Sequence, residues 1–286
     1  MTPQTDLERV AEGSAREMSG AGKAYIAFCE EELWRPWKAK ALDVPRPFDH
    51  EAMPEPYLLF DAGKKPLIAL TTNPGNTMDH QLHSALKPGY GPVSEEDKYA
   101  EAARKLGAFY ERKLAGRPAG DRIAKLLELS SRLGCEGMLQ TEVFPFHSPS
   151  LPMSRKRALL REAKIDKGGV VGRYIEHLRR FLHDLPVVIV QASNSPMEKP
   201  TSEWLTGILE LAGLDDPESL ERVPLVGTTF AAWVSERPCK ALLLKQGGTG
   251  LPASDGLSKL AVKLKGLWGS VATQFEFDDR RRGCGL

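Results

Sequence analysis

The sequence predicts an α/β protein: a three-layer sandwich with a central, mostly parallel sheet of about four strands, preceded by an N-terminal helical extension. Three observations predict it. Four apolar runs of strand length, near 66–70, 138–143, 186–191 and 241–244, recur along the chain between longer segments of helical periodicity. Strands separated by helices pair in parallel, because a parallel connection must cross the sheet and a helix makes that crossing. Polar or glycine-rich loops follow the runs, which is where open parallel sheets bind ligands.

The elements follow in order. Residues 1–45 read as the helical extension: Thr5 and Glu8 have capping-box spacing, and Tyr25, Phe28, Cys29 and Leu33 share one helical face. Asp43 to Pro56 is a connector, and the α/β domain is expected over 57–286. Pro66–Leu70 is the first strand. Helices are expected near 94–114, with Ser94 as cap, and near 120–133, closed by Gly134. Met138–Val143 is the second strand. A basic helix from about 154 and an amphipathic one over 170–183 lead to Pro186–Gln191, rich in β-branched residues. A helix around Trp204, a short strand at Val223–Val226, the strand Ala241–Leu244 and a helix to about Trp268 complete the chain.

Composition narrows the function. Lys and Arg number 39 against 38 Asp and Glu, so no global basic field draws the chain to nucleic acid, and any DNA contact has to be local. Basic patches stand at Arg155–Arg157, at Lys259, Lys263 and Lys265, and at Arg280–Arg282. The four cysteines are widely spaced without a C-x-x-C pair, which indicates buried thiols rather than zinc ligands or disulfides. His80 and His83 lack a ligand partner at a recognisable spacing, so no metal and no cofactor is expected. No apolar run reaches membrane-spanning length and the start carries no secretory pattern. The expectation is a cytoplasmic monomer without membrane contact.

Three loops carry candidate chemistry. In Asn73–Gly75, Pro74 fixes φ and Gly75 lets the backbone turn, leaving the Asn73 amide as a placed donor and acceptor. Phe144–Ser148 packs two aromatics, an imidazole and a hydroxyl into five residues. Phe144 and Phe146 can stack a flat heterocycle, and His147 can donate to a base carbonyl or stabilise an anion. The alternative is that both rings are core and His147 is structural. The segment Gly247–Ser258 opens a helix, where the amides near Ser254, Gly256 and Ser258 suit a phosphate, as does the Ser148 hydroxyl. It fits neither a Walker loop nor a dinucleotide fingerprint.

In combination these segments resemble the uracil-DNA glycosylase superfamily. Leu70–Gly75 is similar to the first motif in its G-x-N-P-G form, Ala253–Ser258 to the second, and Leu139–Thr141 stands where the family has its base-reading L-N-T strand end. The resemblance covers about residues 60–270. It implies that Asn73 orients the attacking water and that Gln140 reads the base edge. Two positions depart from the pattern: Ala253 replaces the Asn or His that opens motif two, and Gln140 replaces an Asn. Asp79 and His80 follow motif one closely enough to offer an acid or base, the alternative and leading reading being a solvent-facing cap.

The leading expectation is hydrolysis of the N-glycosidic bond of a flipped DNA base, with Asn73 and His147 catalytic, Gln140, Phe144 and Phe146 on the base, and Ser148, Ser254, Gly256 and Ser258 on the strand. A silent nucleic-acid or nucleotide-binding module of the same fold is the alternative that Ala253 favours. An esterase-like hydrolase using Ser148 or Ser258 with His147 ranks last, because no G-x-S-x-G elbow occurs.

Overall fold

The computed structural model describes residues 20–63, 65–72, 91–94, 96–148, 151–193, 202–223, 230–235, 240–246 and 255–266. They form an α/β structure around one mixed sheet. The strands are β1 (Tyr57–Phe60), β2 (Leu67–Thr71), β3 (Met138–Glu142), β4 (Val187–Ser193), β5 (Glu221–Val223), β6 (Phe230–Ser235) and β7 (Lys240–Gln246), in the order β1-β3-β2-β4-β7-β6-β5.

The sheet has seven strands, which corrects the expectation of about four in a mostly parallel sheet. The four expected runs are β2, β3, β4 and β7, and β3-β2-β4-β7 do run mutually parallel. Antiparallel strands flank them: β1 pairs with β3 on one side, and β6 and β5 follow β7 on the other. β5, β6 and β7 follow one another closely in sequence, so they pair antiparallel without a crossover helix, whereas β1 pairs with β3 across an intervening strand and two helices. The strand expected at Val223–Val226 ends at Val223; residues 224–229 lie outside the described ones.

Helix α1 (Gly20–Phe28) continues through a π-helical segment, Cys29–Trp34, into Arg35–Lys38. Tyr25, Phe28, Cys29, Leu33 and Trp34 are buried in the same core as the sheet, so these residues of the extension pack into the body of the protein. Helix α2 (Tyr99–Leu114) starts five residues later than expected, because Asp97 binds back to the Ser94 amide and turns the chain first. It crosses β1 at Gly107, where a Cβ would meet the Leu59 carbonyl oxygen, so only glycine fits.

Helix α3 (Pro118–Leu133) ends at Gly134 in the left-handed conformation. Then come α4 (Met153–Ile165), α5 (Val170–Leu182), α6 (Glu203–Leu211) and a helix over 255–266, α7. The apolar face of α5, with Tyr174, Ile175, Leu178 and Phe181, is laid down at helical spacing and buried. Its C-terminus is held by Lys240 of β7. That wholly buried ammonium donates to the carbonyls of Leu182, His183 and Leu185 at the end of the helix, the first of which also accepts the Leu185 N–H. Among the described residues no helix is long and apolar enough to cross a membrane.

Candidate functional site

Because β2, β3, β4 and β7 run the same way, their C-terminal ends share one edge of the sheet. Side chains alternate between faces and paired residues share one, so Thr71, Gln140 and Glu142 project together while Thr141 projects opposite.

Glu142 ends β3 as a carboxyl only 3% exposed. Thr71 Oγ1 donates to its Oε2 at 2.5 Å, and Gln140 Nε2 donates to its Oε1 at 2.8 Å. Gln140 Oε1 is buried and has no hydrogen-bond partner. Burial pushes the Glu142 carboxyl up to about 7, opposed by the Thr71 bond, by the Arg122 guanidinium and by the Gln140 bond; Glu55 adds to the rise.

A second carboxyl stands nearby. Glu55 Oε1 accepts from the Tyr110 hydroxyl of α2 at 2.5 Å and lies 3.2 Å from His147 Nε2, both residues being buried. The imidazole contact is close but is not a hydrogen bond, since neither ring nitrogen meets a partner in aligned geometry. Burial raises the Tyr110 hydroxyl well above its ordinary value, and the adjacent Glu55 adds to this. The loop after β3 is fixed by the backbone of the connector. Asp49 N–H donates to His147 O and Glu55 N–H to Pro145 O, so a stretch that reads as simple linkage in the sequence walls the site.

Phe144 and Phe146 are fully buried, both against Phe48 at centroid separations of 5.8 and 5.5 Å, and Phe144 also stacks on Trp204 at 6.2 Å. Gln191 of β4 accepts at Oε1 from Thr72 Oγ1 and Trp204 Nε1, while its Nε2 has no partner. The Ser148 hydroxyl is buried and unpartnered.

No protein-family model, curated protein or solved structure matches this chain. The site therefore rests on its own geometry. Gln140 lies within β3 and His147 and Ser148 in the loop that follows it, a loop that also carries the buried Phe144 and Phe146. Gly256 is buried and Ser258 half-buried at the start of α7. Asn73, Asp79, His80, His83, Ala253 and Ser254 lie outside the described residues. Among the described residues no group of three His, Cys, Asp or Glu side chains is placed to hold a metal ion.

Sequence reasoning missed Glu142, Glu55, Tyr110 and Arg122. Glu142 left a signal, a lone carboxylate closing an apolar strand. The other three come from distant segments and left none.

Chemically, the arrangement offers a carboxyl that exchanges its proton near neutrality, an amide with a free buried acceptor, and an imidazole held beside a carboxylate. Buried polar atoms without partners at the ends of parallel strands are what a polar ligand would satisfy.

Proposed function

We propose that this chain is a uracil-DNA glycosylase-like protein that hydrolyses the N-glycosidic bond of a base flipped out of DNA. The observation that carries this reading is the Gln140–Glu142 pair, because it leaves a buried amide oxygen free at the strand-end position where the resemblance expects the base to be read. A nucleobase edge with an N–H beside a carbonyl matches that oxygen and the remaining amide N–H. The parallel set β3-β2-β4-β7 supports the finer architecture, a three-layer sandwich with these strands at its centre.

In this reading Asn73 orients water toward the sugar carbon, and His147, beside Glu55, stabilises the departing base. Ser148 and the start of α7, with Ser254, Gly256 and Ser258, hold the strand. No strong nucleophile stands among the described strand-end residues, so the rate comes from placing water and stabilising charge. Asn73→Ala should lower single-turnover excision by roughly 10²-fold or more and leave DNA binding nearly intact, since one placed polar group is typically worth about 3 kcal/mol. The measurement is excision on uracil, hypoxanthine and mismatch oligonucleotides, wild type beside variant. Unchanged activity in the variant removes Asn73 from the mechanism.

A second reading, a catalytically silent nucleic-acid or nucleotide-binding module, is favoured by the covering of Phe144 and Phe146. A base stacks on neither ring until Phe48 moves. Salt-sensitive retention of DNA without cleavage of any substrate would select this reading.

A further inference from the structure

Glu142 and Gln140 are two residues apart on one face of β3, and each constrains the other. An ionised carboxylate only accepts, so it fixes the near end of the Gln140 amide as nitrogen, and the 2.8 Å contact has that sense. The amide oxygen is then left without a donor in a residue only 4% exposed. A protonated carboxyl reverses the requirement: its O–H needs an acceptor, and the orphaned Gln140 oxygen is the acceptor one amide rotation away.

We propose that Glu142 is a positioning residue that selects which end of the Gln140 amide faces the ligand. Ionised, it takes the amide N–H and leaves the oxygen outward to accept from a heterocycle N–H, such as an imide. Protonated, it donates to the oxygen and turns the NH2 outward, toward a carbonyl or an unprotonated ring nitrogen. The step is one proton exchanged with solvent and one rotation of a side-chain amide. It rests on the reading of Gln140 as the ligand-recognising group.

The groups around Glu142 set the balance. Thr71 donates to it from β2, Arg122 faces it from α3, and Glu55 opposes its charge from the connector. The Tyr110 hydroxyl of α2 lies within electrostatic reach, and the Tyr174 hydroxyl of α5 donates to its backbone carbonyl. His147 Nε2 lies 3.2 Å from Glu55 Oε1. Together these groups leave the carboxyl pushed up to about 7, so the two amide orientations should exchange near neutrality.

The test is a pH titration of the full chain by isotope-edited NMR, following the Glu142 carboxyl and the Gln140 side-chain NH2 from about pH 5 to about pH 9. The expected result is one shared midpoint, with the Gln140 signals changing as the carboxyl ionises. Glu142→Gln should abolish the Gln140 transition. Thr71→Val should move the shared midpoint to higher pH, because it removes a donor that favours the ionised form, and it serves if the first variant does not fold. A Gln140 amide that stays constant while Glu142 titrates would overturn the proposal. Excision assays separate this from the functional reading. A shared midpoint without cleavage of any oligonucleotide retains the amide selector and rejects the glycosylase, whereas cleavage with a constant Gln140 amide does the reverse.

Discussion

The two faces of β3 treat polar side chains in opposite ways. On one face Thr141 belongs to a closed network: the Tyr25 hydroxyl reaches Pro56 O, Thr141 Oγ1 and Tyr174 OH, Thr141 also donates to Pro56 O, and Tyr174 donates to Glu142 O. The hydroxyls of Tyr25, Thr141 and Tyr174 all have partners, and burial holds both tyrosines well above their ordinary values, so they stay neutral at any physiological pH. On the other face Gln140 leaves an acceptor free and burial pushes the Glu142 carboxyl up to about 7. Burial is equally deep on both sides. Among the side chains of β3 satisfaction is what differs, and it separates a network that fixes the fold from one suited to a ligand.

The comparison is broken most strongly on the closed face. Tyr25 stacks on Phe181 with centroids 4.7 Å apart and planes 3° from parallel. Phe181→Ala should cost about 3 to 5 kcal/mol in denaturant unfolding, because a large buried ring is lost. That loss should be the same at pH 5 and pH 8, as no titrating group is involved; a pH-dependent loss would mean that the two faces are coupled.

On the open face the expected effect is next in size and depends on pH. Glu142 holds its proton to about 7 in the folded chain, against an ordinary value of 4.5. Between those values the folded state binds a proton that the unfolded state has released. The stability from this group is fully present below the unfolded value and is lost as pH rises through about 7, by roughly 3 kcal/mol. Glu142→Gln should flatten that part of the profile, as read from thermal melts across the interval.

The smallest effect sharpens the contrast. Tyr25→Phe should cost only about 1 kcal/mol, since Thr141 and Tyr174 still reach Pro56 O when the hydroxyl is gone. A loss several times larger in the same unfolding assay would show the closed network to be less redundant than its geometry.

Much of the fold was legible because β2, β3, β4 and β7 are apolar runs long enough to stand out and separated by helical stretches. The antiparallel strands were not. β1 is four residues at the point where the core was expected to begin, β5 is three, and the apolar run Phe230–Val234 is not set apart from Ala241–Leu244 by a helical stretch. Of the candidate site, Gln140 was readable because it lies in an expected strand, and His147 and Ser148 because they follow it. Glu55 and Tyr110 were not, because a carboxyl from the connector and a phenol from α2 meet only after the chain has folded. The covering of Phe144 and Phe146 was likewise invisible, since Phe48 lies in a segment with no periodicity.

The backbone bonds from Asp49 and Glu55 to the loop after β3 also bear on the order of folding. They join segments separated by β1, β2, α2, α3 and β3, so most of that intervening chain has to be in place before they form. Helices and adjacent strands need no such closure. A refolding chain should therefore recover its secondary structure before His147 and Glu55 meet, and the site should mature among the last features of the molecule.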